Sequence, residues 1–400
     1  MDIRLQADPA NSREIARLCA KALEVPTRTR ASMRVRPPRQ EAAVRLAVGM
    51  ANAGPGDSEE LARLLIVKAL WPASLGEGRG TEQEELEARD SGEQAAAMAL
   101  RLERPDLASA ALDGIGQFFM VRGLYGAWNR LAERRLVLAP SLTDPAELGD
   151  VYSTASWCAY HIGRYRDAER FADRGVEATL TVAPNWALYC MDWRAVARCR
   201  LGAWESFFGD VSLIADLLGD RRGQPPGQAS DHLGAAAFVH EIRGDPTEAD
   251  RILEVVRWLE SEEERPSAGL TVWRALLLAR RGVFDQAREA LDLPHTLWHG
   301  YAMGSVLEAR CEILAQQEAW DEVPGVVHAS RAHAEEAELL VLPCFADRLE
   351  GLAAARAGGD RARAGELLGR ALAGFTDLGA EWEAARTALA LAESLAGRLG

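Results

Sequence analysis

One stretch limits what this chain can fold into. Residues 152–180 read YSTASWCAYHIGRYRDAERFADRGVEATL. Tyr152, Ala155, Ser156 and Ala159 recur at the spacing of one helix face, and Gly163-Arg164-Tyr165 interrupts them. Ala168, Ala172 and Val176 then mark a stripe on a second helix. The facing positions are mostly small, so the two backbones can approach closely. The stretch predicts a helix-turn-helix hairpin.

The plan recurs along the chain. Gly163 has counterparts in Gly123, Gly202, Gly244, Gly282, Glu318 and Gly359, at successive intervals of 40, 39, 42, 38, 36 and 41 residues. Glycine suits a turn in which the chain takes a positive φ between helices. Two residues after the turn stand Tyr125, Tyr165, Trp204, Phe284 and Trp320, with Pro246 and Arg361 departing from the aromatic pattern. Five residues after it stand Trp128, Ala168, Phe207, Ala249, Ala287, Val323 and Ala364, all apolar. Three kinds of residue in register over seven units define an all-α repeat array.

A bulky residue, small residues, a glycine turn, an aromatic and two alanines at these offsets resemble a tetratricopeptide repeat. The resemblance implies a right-handed superhelical solenoid of about eight or nine hairpins, each contacting only its neighbours, with capping ends. The period of about 40 exceeds the 34 of a standard unit. With the ending GDRARAGELLGRALAGFTDLGAEWEAARTALALAESL (residues 359–395), it is similar to the repeat region of MalT-like and LuxR-type bacterial regulators. That likeness implies a sensor or docking arm in signalling or transcription control. The other parts of such regulators are missing: there is no G-x-x-x-x-G-K-[ST], no cyclase domain and no DNA-reading helix-turn-helix after Leu395.

Residues 1–56 read as N-terminal helices with an arginine-rich connector, and 57–400 as the array. Ser12 or Asn11 is placed to cap a first helix with the stripe Ile15, Leu18, Cys19 and Ala22, ending before Pro26. Residues 27–39 carry five arginines and no acid, which reads as a solvated connector more readily than as a polyanion-binding arm. A helix from about Gln40 to Ala53 is broken by Gly54-Pro55-Gly56. Asp57 and Glu60, then Thr81 and Glu84, have capping-box spacing, and the first of these helices should stop at Pro72. Residues 219–231 and 261–267 are polar breaks that read as connectors or hinges.

Composition excludes several classes. Lys+Arg 46 against Asp+Glu 60 gives a net charge of −14, which opposes general binding to nucleic acid or an anionic membrane. No run of 18 apolar residues exists, and the N-terminus lacks a signal-peptide layout. Six scattered cysteines without a C-x-x-C pair fit reduced thiols in a cytoplasm, with Cys158, Cys190, Cys199 and Cys311 as small core residues. No cofactor motif is present.

Catalytic signals are sparse. His295 and His299 have the spacing of two zinc ligands, but the residues between them supply neither a third ligand nor a base, so no metal site is expected. His161 and His240 sit near the ends of first helices, where a positive charge suits the dipole. No G-x-S-x-G elbow appears. The inner face of the array is more informative. The tetratricopeptide register places Asp113, Gln117 and Met120 there, followed by Ser153, Trp157 and Tyr160. Tyr189 and Asp192, Phe238 and Glu241, Val272 and Leu276, and Glu308 and Glu312 continue it, with Trp193 and Trp273 one position off.

Aromatics and acids replace the lysines, arginine and asparagines that such arrays use to clamp a peptide carboxylate. This lining suits a neutral, apolar or basic ligand. The expected function is a non-catalytic module binding a peptide, partner protein or small inducer in its concave groove. An α-helical enzyme using that groove is the alternative, and the tryptophans could instead fill the core between units.

Overall fold

The computed structural model describes residues 9–28, 38–75, 81–218, 230–262, 268–292, 299–357 and 359–396. Helices account for 86% of these, and no strand occurs among them. The first six are α1 (Pro9–Arg28), α2 (Arg39–Asn52), α3 (Glu59–Leu75), α4 (Glu82–Arg101), α5 (Pro105–Met120) and α6 (Tyr125–Leu138). Then come α7 (Pro145–Ile162), α8 (Tyr165–Thr179), α9 (Pro184–Arg200), α10 (Trp204–Leu218), α11 (Asp231–Ile242) and α12 (Pro246–Glu262). The chain continues with α13 (Ala268–Arg280), α14 (Phe284–Leu291), α15 (His299–Gln317), α16 (Val323–Ala337), α17 (Leu342–Arg356), α18 (Arg361–Asp377) and α19 (Glu381–Leu395).

The repeat register is reproduced residue by residue. Gly123, Gly163, Gly202, Gly244, Gly282 and Gly359 all have positive φ, and so does Glu318, at 58°. The turn geometry is therefore kept where the glycine is not. Tyr125, Tyr165, Trp204, Pro246, Phe284 and Arg361 each open the second helix of a hairpin. Trp128, Ala168, Phe207, Ala249, Ala287, Val323 and Ala364 are all buried. At Ala168 the first helix comes close enough for the Ser156 hydroxyl to donate to its carbonyl at 2.7 Å.

From α3 onward, the odd-numbered helices pack side by side and the even-numbered helices pack on their odd neighbours, α12 chiefly on α11. The odd helices thus form the inner layer of the superhelix and the even ones the outer layer. Units do not contact only their neighbours, however, as an open solenoid would. The superhelix winds tightly enough for one turn to touch the next. A Cβ on Gly123, in the α5–α6 turn, would lie 2.2 Å from the carbonyl oxygen of Gly300 at the start of α15. Leu340 N donates to Ile162 O at 2.8 Å, and Arg130 pairs with Glu338 at 2.7 Å. Gly202 abuts Glu381, and Gly379 abuts Leu201. These contacts form a seam between units about half the array apart.

Several local expectations need correction. α1 runs through Pro26 to Arg28, and α3 runs through Pro72 to Leu75. Each proline lies in a last turn, where losing one N–H disturbs little of the helix behind it. Near Pro26, the Thr27 hydroxyl donates to Leu23 O at 2.8 Å. The α3 start is capped by Ser58, whose Oγ accepts from Leu61 N at 3.2 Å, while Asp57 pairs with Arg101 at 2.6 Å. Thr81 and Glu84 do form a capping box. Most of the arginine-rich connector, most of both polar breaks, and His295 lie outside the described residues.

Candidate functional site

The inner helices α7, α9 and α15, with α6 of the outer layer, bring aromatic side chains together from both sides of the seam. Trp157 on α7 stacks on Trp193 of α9, with centroids 5.3 Å apart and planes at 13°. It meets Trp128 of α6 at 4.7 Å and Tyr301 of α15 at 5.0 Å, both edge-on. His161 stacks on Tyr125 at 4.5 Å. Tyr160 packs on Trp193 at 5.7 Å, and its hydroxyl accepts from Arg200 Nε at 3.4 Å. Burial pushes the Tyr160 phenol up to about 12. These rings, from α6, α7, α9 and α15, form an aromatic plug.

The plug also overturns the dipole reading of His161. Its ring is packed among aromatics with Nε2 buried, and that desolvation, followed by the nearby Arg200 charge, lowers its pKa to about 3. The imidazole is therefore neutral, because desolvating a charge outweighs the field of one helix terminus.

Further along, the lumen is not filled. A pocket with about 560 Å³ of atom-free space, part of it continuous with solvent, lies between α9, α11, α13, α15, α17 and α19. Phe238, Val272, Trp273, Leu276 and Phe345 give it apolar walls, and Trp204 and Trp382 also line it, 5.4 Å apart. Its charged groups are Arg200, Glu308, Glu312, Glu383 and Arg386. Arg200 pairs with Glu308 at 2.7 Å, and Arg386 with Glu312 at 2.8 Å and Glu383 at 3.3 Å. Arg348, behind the lining, pairs with Glu383 at 2.6 Å and with Glu312. Burial alone would raise the Glu312 carboxyl, but the Arg348 and Arg386 guanidiniums hold it at about 2. At Glu308 burial wins over Arg200, and the pKa rises.

The residues expected on the inner face are distributed over three environments. Phe238, Trp273, Glu308 and Glu312 line the pocket, while Trp157, Tyr160 and Trp193 belong to the plug. The others lie elsewhere. Asp192 is wholly buried and holds the start of α11, accepting from His232 N at 2.9 Å. Tyr189 is buried against Trp186, Glu241 pairs with Arg281 at 2.6 Å, and Gln117 is half-buried on α5. The inner-face register did not reach Arg200, Phe345, Trp382 and Arg386. The register has no turn residue to set it in α19 and, carried back from Gly359 into α17, falls one position off Phe345; Trp204 was legible only as a turn aromatic.

A second charged cluster lies toward the N-terminus. Arg135 of α6 is buried and pairs with Asp113 at 3.0 Å, Glu147 at 3.3 Å, and Asp150. Arg28, at the end of α1, reaches the same Glu147. With three carboxylates on two guanidiniums, burial and then the Asp150 charge push Asp113 up to about 6, against Arg135 and Arg28.

Among the described residues, no group of three or more His, Cys, Asp or Glu side chains is placed to hold a metal ion. The side chains of His295 and His299 are not among them. The six cysteines are free, and five are buried. No described helix is long and apolar enough to cross a membrane.

No protein-family model matches the chain, and no curated protein matches it by sequence. Among solved structures it is similar to that of a Rap protein complexed with competence and sporulation factor. The TM-score is 0.52 and the identity 11%, with 97% of this chain and 98% of that chain covered. At that identity the likeness is one of fold. The class it defines, together with the register above, is a tetratricopeptide-like helical repeat protein.

Proposed function

We propose that this chain is a non-catalytic binding module that takes a peptide, or a peptide segment of a partner protein, on its concave side. The observation that carries the reading is the pocket in the lumen beyond the aromatic plug. It is walled by aromatics from successive inner helices and lies beside the seam. The structurally similar Rap protein was solved with competence and sporulation factor bound, which supports a ligand-binding use of such an array. The enzyme alternative needs a titratable group free to work, whereas every charged residue lining the pocket is committed to an ion pair. The resemblance to MalT-like and LuxR-type repeat regions supports a role in signalling or transcription control.

The test is selection of peptides from a random phage-displayed library on the intact chain. Hydrogen exchange with a selected peptide bound then locates it. Protection is expected on α9, α11, α13, α15 and α19, and Phe238→Ala should weaken binding about tenfold or more, as loss of a buried aromatic contact does. Protection confined to α8, α12 and α18 on the outer layer would remove the concave-side reading. So would a library that yields no binder.

A further inference from the structure

The last described helix, α19, is covered on one side only. Glu383, Thr387 and Ser394 are buried on the side facing the array, where Arg348 of α17 reaches Glu383 and Thr387. The opposite side carries Ala385, Ala388, Leu389, Ala392, Leu395 and Ala396, all exposed, Leu389 at 62% and Leu395 at 69%. Steps of three and four residues put them on one stripe, about 16 Å long. None is charged; Glu381 lies beyond the start of the stripe and Glu393 at its edge.

The preceding inner helix shows what such a face packs against. In α17 only Arg356 is exposed, because α16 and α18 pack along it. Every inner helix from α3 to α17 is followed by an outer helix packed against it, and among the described residues α19 is not. The two helices of such a hairpin run antiparallel. A second α19, brought up about a two-fold axis across the stripe, also runs antiparallel, and so takes the place of an outer helix. The stripe is complementary to itself in that arrangement. With the axis between Ala390 and Leu391, Leu389 of one copy falls opposite Ala392 of the other, and Leu395 beside Ala385. Each large side chain then meets a small one, no charge is buried, and the helix dipoles oppose each other.

We infer that the bare face of α19 is an interface between two copies of this chain, paired about a two-fold axis with their α19 helices antiparallel. An isologous contact of this kind closes at two copies. One face of about three helical turns buries less than the roughly 1,200 Å² at which standard interfaces begin, so the dimer is weak and exchanges with the single chain.

Sedimentation velocity of the intact chain, without peptide, is the measurement. Between about 5 and 200 μM the weight-average mass should rise toward twice that of the chain. Leu389→Glu sets a carboxylate against an alanine on each side of the pair and should weaken association about thirtyfold or more. Leu389 is exposed in the single chain, so the variant's circular dichroism, and its melting temperature at about 1 μM, should match the parent's. Should they not match, Ala392→Glu on the same stripe takes its place with the same expectation. Cysteines read the direction of pairing. Ala385→Cys mixed with Ala396→Cys should give a disulfide-linked dimer on mild oxidation, with the parent oxidised alongside as the baseline for its half-buried Cys19. Either variant alone should not link, because its two cysteines lie about 16 Å apart along the paired helices. A chain that stays single at every concentration overturns the inference, as does a dimer that the glutamate leaves intact. A link formed by Ala385→Cys alone overturns the antiparallel arrangement.

Discussion

The phenol of Tyr125 donates a hydrogen bond of 3.0 Å to the main-chain carbonyl of Tyr301, 176 residues further along the chain. It ties the second helix of one hairpin to the first helix of another across the seam. Tyr125→Phe keeps the ring on His161 and removes only the donor. We expect a loss of about 1 kcal/mol in urea unfolding, the usual net worth of one hydrogen bond, because the carbonyl keeps its bond within α15. Unchanged stability would mean that the seam does not need this bond.

Two glycines separate backbone conformation from packing. Gly244 has φ +83° and nothing within 4 Å of where a Cβ would stand, whereas Gly123 has φ +70° and the Gly300 carbonyl in the way. Gly244→Ala should cost about 1–2 kcal/mol for the left-handed conformation alone. Gly123→Ala should cost about 2 kcal/mol beyond that, because the seam must part or shift. Equal costs would show that the two turns of the superhelix do not press on each other.

His161 gives the fold a defined acid response. Its pKa of about 3 in the folded state lies below the ordinary 6.5. The stabilisation is therefore complete above pH 6.5 and is lost as pH falls toward 3. Asp113 acts in the opposite sense. Its pKa is raised to about 6, so folding binds a proton there and stability rises as pH falls from 6 toward 4. His161→Phe keeps the stacking on Tyr125 and should resist acid better. Relative to the parent it should gain about 2–3 kcal/mol between pH 6.5 and 4.5, at roughly 1.4 kcal/mol per pH unit. Parallel stability–pH curves for the two proteins would contradict a buried, neutral histidine.

Trp157 is half-buried among Trp128, Trp193 and Tyr301. Trp157→Ala should cost about 3–5 kcal/mol, as emptying an aromatic site does. A variant that melts with the parent but loses peptide affinity would instead place Trp157 in the ligand's path. Melting temperature and affinity measured on the same protein decide between the two.

The repeat was legible because its signals are local. A left-handed turn residue, an aromatic opening the second helix and a buried residue three positions on are all set within one hairpin. Even Glu318, with no glycine, was placed correctly by spacing. The seam was not legible. It depends on the pitch of the whole superhelix, which sums small angles between successive units that no single hairpin encodes. The same cause explains the mixed fate of the inner-face residues. Register assigns Trp157 and Phe238 equivalent places, yet one faces a filled lumen and the other an open one, according to what the next turn brings opposite. Asp192 shows a further limit: the partner it caps, the start of α11, lies beyond a polar break whose length hides the contact.

Closure also fixes the number of units. In an open solenoid, a whole hairpin can be duplicated or lost and the remaining interfaces still match. Here Gly123 must arrive at Gly300, Ile162 at Leu340 and Gly202 at Glu381, all with the same count of helices between them. Removing one unit of about 40 residues would put every one of these meetings out of step together. Such an array cannot lengthen or shorten by copying its own module. It varies only by substitution, or in loops that leave the count intact.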